Sequence, residues 1–302
     1  MAARPMLASN DVVLQTEFEG LAYPKVASPK LDGFRQYNYT GRPTTRSGKA
    51  LANVHTRKIL TRPEFNGFDG ELITGDPTAP DALHKAQSAF GTISGEPEFT
   101  WHIFDDMTRG SAGYWNHWAT SAVPRIRNLP DWCIVVRQQL VSNADELLAF
   151  HKHVTTLGYE GTVLRDPRSP YKHNRSTRKQ EWMLKVKDLT YEEVMVVSFN
   201  EKMINANEAT TDDLGFTRRS SHKAGKIPAG TLGSFTVRSF NSNEEFSIGT
   251  GPLVAHELKE IWQNQASYAL RPMTVKYYSQ AASRMKPRSG QFVAWRALED
   301  MS

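Results

Sequence analysis

The stretch Lys30-Leu31-Asp32-Gly33-Phe34-Arg35 is the most informative part of the sequence. Its Asp-Gly pair predicts a tight turn, and the alternating residues from Phe34 to Tyr39 predict a strand directly after it. The amine of Lys30 would then stand at the end of the preceding strand, where it could serve as a nucleophile. The guanidinium of Arg35 is suited to phosphate or ribose. Taken alone, the stretch fits a solvated β-turn equally well.

Further polar stretches follow in order along the chain. Asp69-Gly70-Glu71-Leu72 places a carboxylate on a predicted strand, and His102-Ile103-Phe104-Asp105 ends another strand with an aromatic ring. Glu160 precedes a β-branched strand, and Lys185 and Lys187 are two residues apart, which places them on one face of a strand. Each stretch alone fits ordinary structure better. Together they predict a site for attack on a nucleotide α-phosphate, where alignment and charge stabilisation carry the catalysis.

Composition excludes several other classes of protein. The chain has 302 residues, of which 39% are hydrophobic and 23% charged, so we expect about two folded domains. No run approaches the roughly 18 apolar residues of a membrane span. The single cysteine, Cys133, excludes a disulfide framework and a cysteine-rich zinc site. The net charge of +5 favours an acidic partner mildly. The N-terminus lacks an apolar signal core, so we expect a cytoplasmic protein.

The sequence pattern changes after residue 188. The second part contains short predicted strands and one predicted helix near Pro252 to Gln263, which is typical of a small β-barrel. We therefore predict an α+β protein with domains at 1–188 and 189–302. The polar stretch from Asn200 to Pro228 is interpreted as a loop or insertion. There is no HExxH, EF-hand or G-x-S-x-G motif, and the residues before Gly48-Lys49 exclude a P-loop.

The ordered motifs resemble those of the covalent nucleotidyltransferases, a superfamily of ATP-dependent DNA ligases, RNA ligases and mRNA-capping guanylyltransferases. The stretches that carry this resemblance are KLDGFR (30–35), TRSGK (45–49), FDGEL (68–72), HIFD (102–105), EGTVLRD (160–166) and LKVK (184–187). The compact bacteriophage-type DNA ligases are the most similar members, through LGSFTVRSFNSNEEFSIGTG (232–251) and FVAWR (292–296). The resemblance implies a nucleotidyltransferase (ATP-grasp-like ligase) adenylation domain followed by an OB-fold domain.

The resemblance also implies a reaction and a role for each matching residue. Lys30 would attack the α-phosphate of ATP and become lysyl-AMP, AMP would pass to the 5′-phosphate of a DNA nick, and the 3′-hydroxyl would displace it. Among the residues implied to bind ATP or AMP, Lys30 would lie at the α-phosphate, Arg35 at the ribose or its 3′ side, and Glu71 at the ribose. Phe104 would stack on the adenine, and the residues at the phosphates are Arg175, Lys185 and Lys187. Arg178 is the alternative to Arg175. Glu160, together with Glu71, would hold a divalent metal ion, which is Mg²⁺ or its substitute Mn²⁺.

The resemblance makes nicked double-stranded DNA the expected partner, with the protein as a monomer and no membrane involved. Lys30 comes so early that we expect no helical DNA-binding domain ahead of it. Arg46 would contact the 5′-phosphate at the nick. Arg218, Arg219 and Lys223 are expected to bind DNA phosphates, with a solvated loop as the alternative. The basic C-terminal motif of larger relatives is only weakly represented, by residues 284–288.

Two other functions remain open at this point. The first is an RNA ligase or an mRNA-capping guanylyltransferase, but the barrel-like second half is unlike most RNA ligases and the weak basic motif is unlike capping enzymes. The second is a non-catalytic nucleic-acid-binding module with a decayed site. The presence of Lys30, Glu71, Glu160 and both later lysines argues against such decay.

Overall fold

The structure, a computed structural model, describes residues 4–211, 217–278, 287 and 289–297. Contacts divide the chain into two compact units, with the change between Lys187 and Asp188. Four of the five residues of the candidate basic motif at 284–288 lie outside the described residues. In the part that the structure describes, no helix is long and apolar enough to cross a membrane.

The first unit contains ten strands and five α-helices among its described residues. The strands are β1 (Val12–Val13), β2 (Lys25–Pro29), β3 (Phe34–Tyr39), β4 (Arg42–Thr45), β5 (Phe68–Ile73), β6 (Thr100–Asp106), β7 (Cys133–Val135), β8 (Gln139–Val141), β9 (Thr162–Arg165) and β10 (Met183–Val186). The helices are α1 (Val54–Leu60), α2 (Ala82–Gly91), α3 (Tyr114–His117), α4 (Val123–Ile126) and α5 (Ala144–Thr156).

Two five-stranded sheets form the framework of this unit. One has the order β1-β10-β9-β2-β8, and the other has the order β4-β3-β5-β6-β7. The loop from Lys30 to Gly33 connects β2 of the first sheet to β3 of the second. A Cβ at Gly33 would lie 2.3 Å from Cδ1 of Ile73 and 2.7 Å from the carbonyl oxygen of Leu72, so glycine lets the loop lie directly on β5. The predicted strands from Phe34 to Tyr39 and from Phe68 to Ile73 are confirmed.

The second unit is a closed five-stranded barrel. Its elements are β11 (Leu189–Asn205), β12 (Ala209–Thr211), β13 (Thr217–Arg219), β14 (Lys226–Ser239), β15 (Glu245–Gly249), α6 (Ala255–Gln263), α7 (Gln265–Tyr268), β16 (Pro272–Tyr278) and β17 (Gly290–Trp295). The barrel order β11-β14-β15-β17-β16 closes by pairing β16 with β11. This order, with a helix between the third and fourth barrel strands, is that of an OB-fold, which confirms the predicted fold class.

The interpretation of Asn200 to Pro228 as a loop is wrong for much of that stretch. β11 continues to Asn205 and pairs there with Lys226 of β14, and β12 pairs with β13 beyond them. We name these paired strands, from 201 to 211 and from 217 to 230, the hairpin extension. Its residues are largely exposed on both faces, with Met203, Ile204 and Ile227 about half exposed. Without a buried face there is no alternation of apolar and polar residues to indicate a strand.

Candidate active site

Lys30 is held beside Glu160 by the main chain. The Lys30 amide donates to the carbonyl of Gly161 at 2.8 Å, and the Glu160 amide donates to the carbonyl of Lys30 at 3.2 Å. These bonds continue the pairing of β2 with β9, in which Pro29 lies opposite Thr162. Gly161 has a φ of +151°, and a Cβ there would lie 2.2 Å from the carbonyl oxygen of Val186. Only glycine allows this close approach of the turn to β10.

The carboxylate of Glu160 binds two lysines at once. One oxygen accepts from the ammonium of Lys30 and the other from the ammonium of Lys187. The Glu160 side chain is only 10% exposed, and its burial disfavours the charged form, but the two lysines outweigh that effect and lower its pKa. Glu160 is therefore ionised throughout the neutral pH range. It joins the predicted nucleophile to the second of the two predicted phosphate-binding lysines.

Three further cations surround this ion pair. Burial lowers the pKa of Lys185, and the neighbouring charges of Lys187, Arg175, Lys30 and Arg46 lower it further. We name these five residues the cation cluster. Their mutual repulsion is balanced only in part by Glu160, so the cluster is complementary to a strong anion such as a polyphosphate.

Arg46, which directly follows β4, connects this cluster to the second sheet. The pKa of the exposed Arg46 is lowered by desolvation and by the charges of Arg35 and Arg175, while Glu71 acts in the opposite direction. The Arg175 guanidinium also donates to the carbonyl of Ala8 at 2.6 Å. The structure thus brings together predicted site residues from both sheets, although they are far apart in sequence.

On the second sheet, Arg35, Glu71 and His102 lie opposite one another on three adjacent strands. Arg35 forms two hydrogen bonds to the fully buried carboxylate of Asp69, at 3.0 and 2.7 Å. Its guanidinium carbon lies 5.0 Å from the centroid of the Phe104 ring. The guanidinium of Arg35 is therefore fixed by the protein itself, against the ring that was predicted to stack on adenine.

The carboxyl group of Glu71 has a raised pKa because it is buried. Burial raises its pKa to about 7, and Asp69 and Asp32 act in the same direction, whereas Arg35 and Lys30 act against it. A carboxyl group with this pKa exists in both forms near neutral pH. It can therefore donate a hydrogen bond to a hydroxyl group as well as accept one.

Replacing Glu71 with glutamine should stabilise the protein at alkaline pH. The folded protein binds the Glu71 proton more tightly than the unfolded chain does, so the free energy of unfolding falls as pH rises from about 4.5 through about 7. Glu71→Gln removes this loss and should raise the free energy of unfolding at pH 8 by up to about 3 kcal/mol. Urea unfolding between pH 5 and 8 measures the difference. Glu19→Gln, at an exposed site of the same unit, is the control, and equal pH profiles of wild type and Glu71→Gln would contradict the expectation.

Two residues that sequence reasoning did not single out also belong to this site. His102 lies opposite Glu71, and burial lowers its pKa to about 4, so its imidazole is neutral at pH 7. Asp69 is the second of these residues, and its carboxylate accepts two hydrogen bonds from Arg35. The only signal for either residue is its position within a motif, two residues from a predicted site residue.

Two further sets of predicted residues are the DNA-binding cations and the metal ligands. Arg218, Arg219 and Lys223 are exposed residues of the hairpin extension, in the second unit. Among the described residues, no three His, Cys, Asp or Glu side chains are grouped so that they could hold a metal ion by themselves. Any metal here would need most of its ligands from substrate phosphates and water, as is common for Mg²⁺.

Comparison with known proteins gives structural matches only. No protein-family model matches the chain, and no curated protein matches it significantly. A solved structure of the Chlorella virus DNA ligase-adenylate is similar to it, with 26% sequence identity, a TM-score of 0.52, and coverage of 99% of this chain and 100% of that chain. A solved structure of the Lig E DNA ligases is similar in fold, with 19% identity, a TM-score of 0.67, and coverage of 98% and 100%.

These matches cover both units. The site geometry agrees as well, since a lysine at the end of β2 is surrounded by cations and paired with a carboxylate. The chain therefore has the two-domain fold of the compact DNA ligases, an adenylation domain followed by an OB-fold domain.

Proposed function

We propose that this chain is an ATP-dependent DNA ligase that seals nicks in duplex DNA. The observation that carries the proposal is the position of Lys30, a primary amine that enters a cluster of four other cations and is paired with Glu160. A polyphosphate fits this surrounding, and an amine beside its α-phosphorus is placed for attack. The full-length likeness to a viral DNA ligase-adenylate supports the same reaction.

The reaction has three steps. The neutral amine of Lys30 attacks the α-phosphorus of ATP, a P–N bond forms, and the bond to pyrophosphate breaks. The 5′-phosphate of the nick then attacks the same phosphorus and frees the lysine, which gives AMP-capped DNA. The 3′-hydroxyl attacks the 5′-phosphorus, the phosphodiester forms, and AMP leaves. Lys185, Lys187 and Arg175 stabilise the negative charge that develops on the phosphates in these steps.

The second sheet binds the nucleoside in this proposal. Glu71 makes a hydrogen bond to the ribose, and Arg35 lies beside it on the adjacent strand. Phe104 provides an apolar face for adenine, and Arg35 lies over the same ring at 5.0 Å. Arg46, on the loop after β4, contacts the 5′-phosphate at the nick.

A divalent cation, Mg²⁺ or Mn²⁺, fits the site as a partner of the phosphates. When bound it would neutralise phosphate charge, which favours attack by an uncharged amine. Glu160 would hold it, since its carboxylate is ionised and lies beside Lys30. Glu71 is the second carboxylate within the reach of the charge of Lys30.

Sealing of a nicked DNA duplex in the presence of ATP and Mg²⁺ tests the proposal. A matched duplex with an all-RNA nick separates DNA ligation from RNA ligation, and α-labelled GTP in place of ATP tests for a capping enzyme. We expect sealing of the DNA nick with ATP. Labelling of the protein by GTP but not by ATP, or sealing of only the RNA nick, would contradict the proposal.

One chain carries every proposed residue, so we expect a monomer, acting in the cytoplasm of a bacterium or of a phage-infected host.

We propose that the hairpin extension of the OB-fold unit binds the DNA duplex. Arg218, Arg219 and Lys223 are exposed on it, and Arg219 also donates to the carbonyl of Asn207, which ties β13 to the turn before β12. The adjacent apolar residues Ile204 and Ile227 are exposed as well. A paired, basic β-ribbon can follow a phosphate backbone with less loss of conformational entropy than a disordered loop.

Replacing Arg218, Arg219 and Lys223 together with alanine should weaken binding to a nicked duplex. Each lost phosphate contact lowers the slope of log affinity against log salt by roughly 0.9, so the slope should fall by up to about 3. Fluorescence anisotropy over a salt series measures it. Lys259→Ala, at an exposed site on α6, is the control. Formation of lysyl-AMP should persist in the triple variant, and an unchanged affinity and salt slope would show that the extension does not bind DNA.

A further inference from the structure

A segment ahead of β2 lies along the part of the chain that carries two cations of the site. The Leu7 amide donates to the carbonyl of Asn174 at 3.2 Å, and the Ser176 amide donates back to the carbonyl of Leu7 at 2.8 Å. Farther along, Val12 of β1 pairs with Lys185 of β10. We name residues 4–13 the N-terminal segment. It flanks Arg175 on one side and extends the sheet that contains Lys185.

Two carbonyl groups of this segment hold arginines of the site. The carbonyl of Met6 accepts from Nη2 of Arg35 at 2.8 Å, and the carbonyl of Ala8 accepts from Nη1 of Arg175 at 2.6 Å. Met6 itself is fully buried. The position of the Met6 main chain therefore affects the orientation of the Arg35 guanidinium directly.

Tyr171 fixes both partners of Arg35. Its hydroxyl accepts from the Met6 amide at 3.0 Å and donates to Oδ2 of Asp69 at 2.8 Å. Asp69 binds Arg35, and Arg35 binds the carbonyl of Met6. These four residues form a closed ring of hydrogen bonds in which the phenol uses its donor and an acceptor position. Tyr171 is 6% exposed, so water is a poor substitute for its hydroxyl.

We propose that Tyr171 is a positioning residue of the nucleotide site, acting on Arg35 through Asp69 and the main chain of Met6. The inference rests on the proposed function, because it assigns Arg35 to the bound nucleotide. A phenylalanine would fill the same space but leave the buried Met6 amide unpaired and remove one donor from Asp69. The guanidinium of Arg35 would then lose the constraint that keeps both of its partners in place.

Tyr171→Phe should slow the formation of lysyl-AMP about tenfold at saturating ATP, or raise the KM for ATP by that factor. Single-turnover labelling with α-labelled ATP over a range of concentrations measures both quantities. Tyr23→Phe is the matched control, since the Tyr23 hydroxyl donates to the carbonyl of Phe18 at 3.0 Å in the same unit, outside the ring. It should change neither quantity by more than about twofold.

A double-mutant cycle with Arg35→Lys separates positioning from a general loss of stability. If Tyr171 acts through Arg35, Tyr171→Phe should change the rate of lysyl-AMP formation or the KM for ATP by less than about threefold in the Arg35→Lys background. Equal costs in both backgrounds would overturn the proposal. Asp69→Asn, which keeps the shape of the side chain, replaces Tyr171→Phe in the cycle if that variant does not fold. Failure of the wild type to become labelled would refute the proposed function, whereas a labelled wild type with Tyr171→Phe equal to Tyr23→Phe would refute only the role of Tyr171.

Discussion

Lys30→Arg should abolish the covalent attachment of AMP while leaving the last step of sealing nearly intact. Arginine keeps a positive charge next to Glu160 but remains protonated at neutral pH, so it cannot attack the α-phosphorus. Removal of a nucleophile costs a factor on the order of 10⁴ or more in rate. Incubation with α-labelled ATP, followed by a denaturing gel, should show label on the wild type and none on the variant.

The same variant should still seal a nick that already carries AMP on its 5′-phosphate, since that step uses the 3′-hydroxyl as the nucleophile. We expect a rate within about threefold of the wild type, because the charge beside Glu160 is retained. Lys30→Ala lacks that charge, and comparison of the two variants measures its contribution. Labelling of Lys30→Arg to the level of the wild type would show that another residue is the nucleophile.

The strands that carry the motifs were predictable because each has one buried face. Phe34 to Tyr39 and Phe68 to Ile73 alternate or concentrate their apolar residues, and the structure has strands at those residues. The barrel was predictable for the same reason, since Phe235, Val237 and Ile248 pack in its core. A pattern along the chain thus indicates which segments are strands and which face of each is buried.

The contacts between motifs could not be obtained in that way. Lys30 and Glu160 are 130 positions apart, and only the pairing of β2 with β9 brings them together. Tyr171 lies between two motifs and gives no local signal, yet its hydroxyl bonds to residues 102 and 165 positions away. Resemblance to a family indicated that the motif residues belong to one site. It did not indicate that Arg35 has a carboxylate partner of its own.

The pairing of Glu160 with two lysines is compatible with two explanations of why a carboxylate is present at a phosphate site. A carboxylate near phosphates is repulsive unless a metal ion lies between them or cations surround it. Glu160 has both lysines within hydrogen-bond reach. It could therefore act only by orienting Lys30 and Lys187, or it could also hold a divalent cation once the phosphates bind.

Glu160→Gln should slow the formation of lysyl-AMP by about 100-fold, because the variant keeps the shape of the side chain but loses its charge. If Glu160 also holds the metal, the Mg²⁺ concentration for half-maximal rate should rise by about tenfold, and a Mg²⁺ titration of single-turnover labelling measures this shift. The matched control is Glu181→Gln, since Glu181 likewise binds two cations, Lys25 at 2.9 Å and Arg178 at 3.2 Å.

The Glu181 variant should leave the rate and the Mg²⁺ dependence unchanged, because neither of its partners belongs to the cation cluster. A slow Glu160→Gln variant with an unaltered Mg²⁺ dependence would mean that the carboxylate acts on the two lysines alone. A rate within about threefold of the wild type, which corresponds to less than about 1 kcal/mol, would remove Glu160 from the chemistry altogether. Because the pKa of Glu160 is lowered by Lys30 and Lys187 against the effect of burial, each of these results should be the same at pH 6.5 and pH 8 after correction for the wild-type profile.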